Sequence, residues 1–475
     1  MNKKMKSLLS NLGIIFVITT ISITTVFVEE LKAQEATISG WAAMELTDSI
    51  EYGIMKPQWL NEDMKDPMTK GELANIVTLV YDKIEKIPGI KKNEVPKNTQ
   101  VTEKITKRAV LDMLYNIAIE YDYGTDIGLK DKDRVSYMQE LEVIRGDGKS
   151  LNLDKPCTTE QAILMSRRFI ESIYDICDVG STGLLWKVQK GSNTVYMLGA
   201  IHIGNTSMYP MSEEIREAYN ESDVVGVEVN INEPIPQEAM NVQFYQDGTT
   251  IKDHLSEEYY EKLTVLCKEY NLNMDTIGLC KDWAISNLIT TTEMMKQTSK
   301  EDISMANADG VDSYWSLVAM MQGKPIVELE SALYQFQMMD SMGQELKTKT
   351  LESQIDLALS ENQVNEEDTS LSKQLLEEMI ECWKDGDAEK LNNLVEKDKA
   401  EGIDDPKTEL EKQAAEYDKA MWETRDTGMT EKIEGFLNAE DGKTYFVTVG
   451  AGHYISDTGI IKQLKEKGYE VTQIK

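Results

Sequence analysis

Histidine is nearly absent from this chain: three occur in 475 residues, at 202, 254 and 453. A site built from four imidazoles is therefore excluded, and the placement of each one is informative. Cysteine is also sparse. Five occur, at 157, 177, 267, 280 and 382, an odd number with no Cys-x-x-Cys spacing. That excludes a disulfide scaffold and a zinc ribbon. Cys267 and Cys280 are near enough in sequence to pair across a short loop, but reduced, buried thiols are the expectation. Basic residues are in deficit, 50 Lys+Arg against 83 Asp+Glu for a net charge of −33. Such a surface repels phosphate backbones and argues against nucleic acid as a partner. Apolar residues are not lacking: 41% of the chain is hydrophobic, enough to fill sizeable cores and to exclude a disordered chain. The length fits two or three domains.

One apolar run stands out, from Leu8 to Val28, behind Lys3, Lys4 and Lys6. Small residues follow at Ala33 and Ala36. Residues 1–36 read as an export signal with a cleavage point near those alanines. The alternative is an uncleaved membrane anchor, since the run is about long enough to span. Ser10, Ser22 and the pairs Thr19-Thr20 and Thr24-Thr25 weaken a stable span and favour cleavage. Either way the remainder is expected outside the cytoplasm, at the cell surface or wall. No cysteine follows the run, so lipoprotein attachment is not expected.

Residues 37–178 are expected to form an all-α domain of repeated helical units. Leu73, Ile76, Val77 and Val80 fall on one helical face. Thr69 precedes that helix with Glu72 three residues on, a capping-box pattern. Thr106 opens a run with Val110, Leu111, Leu114 and Ile117, and Thr158 opens another with Ile163, Leu164 and Phe169, with Gln161 at the third position. The recurrence reads as an internal repeat.

From 182 to 475 the pattern changes to an α/β domain with a mostly parallel sheet. Strands are expected at Thr194–Leu198, Val224–Val229, Pro325–Leu329 and Tyr445–Val449, with a helix over Glu213–Asn220. An acidic helical insertion over about 357–423 interrupts it and is a candidate lid.

The chemistry-bearing residues cluster where strands end. Val195–Leu198 runs into Gly199-Ala200-Ile201-His202, Tyr445–Val449 runs into Gly450-Ala451-Gly452-His453, and Val224–Val227 ends at Glu228. Ligands of open α/β sheets bind beyond the carboxyl ends of the strands. Two imidazoles and a carboxylate at that edge match a divalent-metal site with positions left for water. A charge at the end of an apolar strand also needs a partner. Glu328 and Glu330 share a face by alternation, so that one or both line the site, and Gln335 follows on a helix. Arg425 stands ahead of the last strand as a clamp for a substrate carboxylate or an oxyanion; its alternative is a salt bridge to Glu423 or Asp426. His254 reads as a cap or surface group at a helix start, outside the site.

Two resemblances extend this reading. Trp41-Ala42, Ile50-Glu51-Tyr52-Gly53-Ile54 and Pro67-Met68-Thr69-Lys70-Gly71-Glu72 resemble an S-layer homology repeat. Leu141–Gly146 with Thr158-Thr159-Glu160-Gln161-Ala162 resembles a second, and Thr106–Ala109 a degenerate one between them. The usual Thr-Arg-x-Glu signature is altered, and Lys70 lacks the planar fork that grips carboxylates. The likeness implies a module that contacts cell-wall polysaccharide; the alternative is a helical spacer.

The second covers about Leu184 to the C-terminus. The two Gly-x-x-His motifs, Val225–Glu228, Gly310-Val311-Asp312, Gly323–Glu330, Gln335, Trp383–Asp387, Arg425, Met429 and Gly468–Val471 together resemble the TraB/GumN family, which includes TIKI-type metalloproteases. That resemblance implies a metal-dependent peptide hydrolase supported by manganese, cobalt or zinc. By that likeness His202 and His453 would be the paired motif histidines, Glu228 their acidic partner and Arg425 the arginine that recurs in the family. The candidate metal ligands are then His202, His453 and Glu228, and the candidate catalytic residues Glu228, Arg425 and, from its place at the strand end, Glu330. The resemblance also implies a link to peptide pheromones at the cell surface. One departure is visible. The family shows a glycine soon after the second histidine, where this chain has His453-Tyr454-Ile455-Ser456; Tyr454 is expected to add bulk to the pocket, and Ser456 to strain a position suited to positive φ. The alternatives to a hydrolase are a non-catalytic surface protein that sequesters a peptide or small ligand in the same cleft, and a protein whose N-terminal repeats carry the function while the α/β domain has decayed.

Overall fold

The computed structural model describes residues 37–93, 105–129, 132–146, 148–202, 204–297, 310–361, 369–398 and 406–475. The expected export signal lies outside them, as do parts of the expected insertion. Among the described residues no helix is long and apolar enough to cross a membrane. The chain divides into two units.

One unit holds the described residues up to Ser181 together with Asn205–Arg216. Its helices run over Ala43–Glu51, Lys70–Ile84, Lys107–Ile119, Arg134–Glu140 and Thr159–Cys177. Thr69 and Thr158 are N-caps, and both capping boxes form, with Glu72 and Gln161 closing them. Thr106 accepts from the Ala109 N–H in the same way. The threonine caps satisfy backbone donors that the first helical turn leaves unpaired. Leu73, Ile76, Val80, Val110, Leu114, Ile163 and Phe169 are buried, as their spacing requires. The unit is not helical throughout: strands β1 (Lys91–Lys92) and β2 (Tyr121–Asp122) pair antiparallel.

The other unit carries a six-stranded sheet of β3 (Leu184–Lys190), β4 (Asn193–Ala200), β5 (Val224–Val227), β6 (Ile326–Glu328), β7 (Thr444–Gly450) and β8 (Val471–Ile474), in the order β6-β5-β7-β4-β3-β8. The sheet is mixed. Strands β6, β5, β7 and β4 are parallel neighbours, while β3 pairs antiparallel with both β4 and β8. The antiparallel edge departs from a mostly parallel sheet because β3 and β4 form a hairpin across Gly191, which has φ +58°. All four residues of β5 are buried, in keeping with an apolar strand covered on both faces.

Strand β7 enters late and lies between β5 and β4, which were laid down earlier in the chain. Ala200 therefore pairs with Gly450, and Val227 with Thr448. This register sets the two Gly-x-x-His segments and Glu228 at the same sheet edge. Helices Gln344–Glu361, Thr369–Lys384, Ala388–Asp398 and Glu409–Lys419 occupy the described part of the insertion region. The Trp383 indole N–H donates to the Gly199 carbonyl at 2.6 Å. This helix thereby braces the strand end that leads into His202. All five cysteines are unpaired; Cys157, Cys267 and Cys382 are buried.

Candidate metal centre

Glu228 follows β5 and is buried against its polar neighbours. Its Oε1 accepts from the Gly450 backbone N–H at 2.7 Å. Its Oε2 accepts from Arg425 Nη2 at 2.8 Å and from Gln335 Nε2 at 3.3 Å. Arg425 is fully enclosed. Its Nε contacts both oxygens of Glu330 at 3.0 Å, its Nη2 also reaches Glu330 Oε2 at 2.8 Å, and its Nη1 faces the Met421 sulfur at 3.2 Å. Glu423 and Asp426 are thus not its partners: the guanidinium binds two carboxylates of its own chain. Gln335 also donates to Glu330 Oε2 at 3.0 Å.

The two motif histidines are built alike. His202 Nδ1 lies 2.9 Å from Asp312 Oδ2, and His453 Nδ1 lies 2.7 Å from Asp426 Oδ1. The Nε2 atoms of both are buried with no hydrogen-bond partner. His202 Nε2 stands 3.9 Å from Glu228 Oε1, too far for a hydrogen bond. Burial alone would raise the Glu228 carboxyl, but the charges of Arg425, His453 and His202 and the Gly450 N–H together lower it from 4.5 to about 2. Burial alone would lower the His202 imidazole; the charge and hydrogen bond of Asp312, then the charge of Glu228, outweigh it and raise it from 6.5 to about 9, with Arg425 opposing. Arg425 and the Gly450 N–H contact Glu228 directly, and His202 stands beside it.

Local sequence explains the packing. A side chain at Gly310 would place Cβ 2.3 Å from the His202 carbonyl oxygen. Glycine there lets Val311 N–H bond Ile201 O at 3.0 Å and brings Asp312 onto His202. A Cβ at Gly452 would lie 2.8 Å from the Trp422 ring, which packs 5.2 Å from the His453 ring, centre to centre. Trp422 and Met421 come from a π-helical turn, Ala420–Thr424, directly before Arg425; such turns are frequent at functional sites.

Several expectations are corrected. Ser456 has φ −63°, so no positive φ is demanded of it, and its hydroxyl donates to Asp426 Oδ2 at 3.2 Å. The Tyr454 hydroxyl donates to Val447 O at 3.1 Å, and its ring packs on Trp186 rather than serving as pocket bulk. Glu328 and Glu330 part company: Glu328 is exposed and accepts from Asn230 N–H at 2.7 Å, while Glu330 turns inward to Arg425. His254 ends a short helix, Ile251–His254, instead of starting one; its ring stacks on Tyr245 and its Nε2 lies 3.0 Å from Thr249 Oγ1. Asp312 and Trp422 have no role assigned from sequence, and Asp426 only that of an alternative salt-bridge partner for Arg425. Asp312 was marked only by Gly310-Val311-Asp312, and Asp426 only by its place beside Arg425.

The donor set can be tested against a divalent cation. Two ligands each about 2.1 Å from one ion stand no more than about 4.2 Å apart, and the 3.9 Å between His202 Nε2 and Glu228 Oε1 is inside that limit. Histidine ligands whose other ring nitrogen is held by a carboxylate are the usual support of metal sites. One guanidinium contacts two carboxylates, Glu228 and Glu330, while Asp312 and Asp426 each contact a motif histidine, so that the site is rich in negative charge. Against this, among the described residues no group of three or more His, Cys, Asp or Glu side chains is drawn together closely enough to hold a metal ion. The geometry thus gives one imidazole–carboxylate pair, His202 and Glu228, at ligand-pair spacing, and a second buried imidazole, His453, whose Nε2 is likewise unpartnered.

The sequence profile of the TraB/PrgY/gumN family matches residues 184–473. The chain is 20% identical over 322 residues to "Metalloprotease TIKI1" of Danio rerio, covering 60% of this chain and 62% of that protein. It is 22% identical over 149 residues to "Uncharacterized protein YbaP" of Escherichia coli (strain K12), covering 31% of this chain and 53% of that protein. The chain thus spans less than two thirds of the length of each of these relatives. No solved structure gives a significant match.

Proposed function

The chain belongs to the TraB/PrgY/gumN family, and on that footing we propose that it is a metal-dependent hydrolase of peptides acting outside the cytoplasm. The observation that carries the proposal is the matched pair of buried histidines, each with Nδ1 on an aspartate and Nε2 unpartnered. His202 and His453 would hold the cation through Nε2, with Glu228 beside them. A bound divalent ion supplies Lewis acidity and an acidified water. The chain's own part is to hold the donors rigid and to fix Glu228 as an anion through Arg425, Gln335 and the Gly450 N–H. Glu330 and Arg425 act on Glu228 rather than as free groups, because the guanidinium is already engaged by both carboxylates. The test is incubation of purified protein with a mixed peptide library and manganese, with and without chelator, read by mass spectrometry. Chelator-sensitive cleavage absent from His453→Ala is the expected result; no cleavage under manganese, cobalt or zinc contradicts it.

A second reading is a surface protein that sequesters a peptide or small ligand at the same site without cleaving it. It is favoured by the absence, among the described residues, of a three-ligand group. Retained but uncleaved peptides in that assay would select it. We also propose that the N-terminal helical unit is an S-layer-homology-like repeat module facing cell-wall polysaccharide. The recurring threonine-capped helices support this; sedimentation with purified wall polysaccharide tests it, and unaltered solubility would argue for a spacer.

A further inference from the structure

We infer that Asp312 and Asp426 are positioning residues that lock His202 and His453, when neutral, in the Nδ1–H tautomer, so that each neutral imidazole is left with a bare Nε2 acceptor. The contacts are most complete at His453. Asp426 has no exposed side-chain surface and neither does His453, so neither group can turn to solvent for another partner. Three groups converge on the carboxylate: His453 Nδ1 on Oδ1 at 2.7 Å, and on Oδ2 the hydroxyls of Ser456 at 3.2 Å and Thr458 at 2.8 Å. An ionised carboxylate only accepts hydrogen bonds. Nδ1 must therefore carry the proton in this contact, and in the neutral ring that leaves Nε2 with its lone pair. Trp422 packed on the ring resists rotation. At His202 the same logic runs through Asp312 Oδ2, which the close approach of Gly310 to the His202 carbonyl brings into reach.

The arrangement on Asp426 makes the inference specific. In Asp426→Asn the two hydroxyl donors hold the amide oxygen on the Oδ2 side, which turns the amide NH₂ toward His453 Nδ1. The ring nitrogen then has to accept, and the proton moves to Nε2. A merely structural aspartate predicts no such exchange. Only the second readout below rests on the metal reading.

The experiment uses the full chain labelled with 15N-histidine, stripped with chelator and held at about pH 10, well above the usual imidazole range. With three histidines the spectrum contains three imidazoles, assigned with single His→Gln variants. The expected result is an unprotonated Nε2 on His453 in the parent and a protonated Nε2 in Asp426→Asn, with His202 unchanged and the fold intact by thermal melt. A protonated His453 Nε2 in the parent, or an unchanged tautomer in the folded variant, overturns the inference. Should the variant fail to fold, the parent spectrum decides alone. Manganese affinity by calorimetry is the second readout, expected to weaken roughly 10–100-fold in the variant. A tautomer exchange with undiminished manganese affinity upholds the positioning role and overturns the metal reading.

Discussion

Replacing Arg425 by methionine removes one cation from a pocket that holds two carboxylates. The Arg425 side chain has no exposed surface, and those of Glu228 and Glu330 are 9% and 5% exposed, so water cannot take over solvation. Breaking a buried pair by removing one partner costs about 3–5 kcal/mol, because the remaining charge is left uncompensated. Methionine approximates the aliphatic stem, so lost packing adds little. At about 2–4 °C per kcal/mol for a unit of this size, Arg425→Met is expected to lower the melting temperature by roughly 6–20 °C. Adding Glu228→Gln and Glu330→Gln should restore much of that loss, because neutral amides still accept the Gly450 N–H and need no counter-charge. Differential scanning calorimetry of the parent, the single and the triple variant is the assay. A single variant melting within a degree of the parent, or a triple variant no better than the single, would refute the claim that this guanidinium is what makes the buried carboxylates tolerable.

The pH dependence of the chelator-treated protein follows from two opposite shifts. Glu228 has its folded value lowered from 4.5 to about 2, so its contribution is present above about 4.5 and is lost as pH falls toward 2. His202 has its folded value raised from 6.5 to about 9, so its contribution is present below 6.5 and is lost as pH rises through 9. Stability from the pair is therefore expected to peak between pH 4.5 and 6.5, and His202→Gln should flatten the alkaline limb of a melting-temperature profile; an unchanged alkaline limb would count against the Asp312–His202 contact. Gly310→Ala puts a methyl 2.3 Å from the His202 carbonyl oxygen. It is expected to destabilise by about 1–3 kcal/mol in urea titration and to weaken manganese binding; a neutral effect on both would show the loop free to move. Trp383→Phe removes the indole donor to the buried Gly199 carbonyl and should cost about 1 kcal/mol, read by the same titration.

Much of this was legible in the sequence because it lies in short-range patterns. Thr69 with Glu72 and Thr158 with Gln161 announce helix starts that form as written. The ends of β4, β5 and β7 bring His202, Glu228 and His453 to one edge because apolar strands running into Gly-x-x-His or Glu fix both direction and terminus. The rest depended on long-range pairing. Whether β3 and β8 run antiparallel is settled by a hairpin turn and by which edge remains open. Asp312 meets His202 across 110 positions, a contact that no local periodicity encodes. Asp426, adjacent to Arg425, reads as that residue's salt-bridge partner until the helix Arg425–Leu437 turns the two side chains apart, one to Glu228 and Glu330, the other to His453. Ser456 looked like a lost glycine; the backbone there is extended and its hydroxyl holds Asp426.

The central claim is that His202 and His453 jointly present two imidazole donors to a divalent cation. Elemental analysis of protein stripped with chelator, reloaded with manganese, cobalt or zinc and desalted measures it most directly. About one ion per chain in the parent is predicted, with the ion lost from His202→Ala and from His453→Ala while both still melt cooperatively. A parent that retains no metal, or variants that keep the parental content, would contradict it.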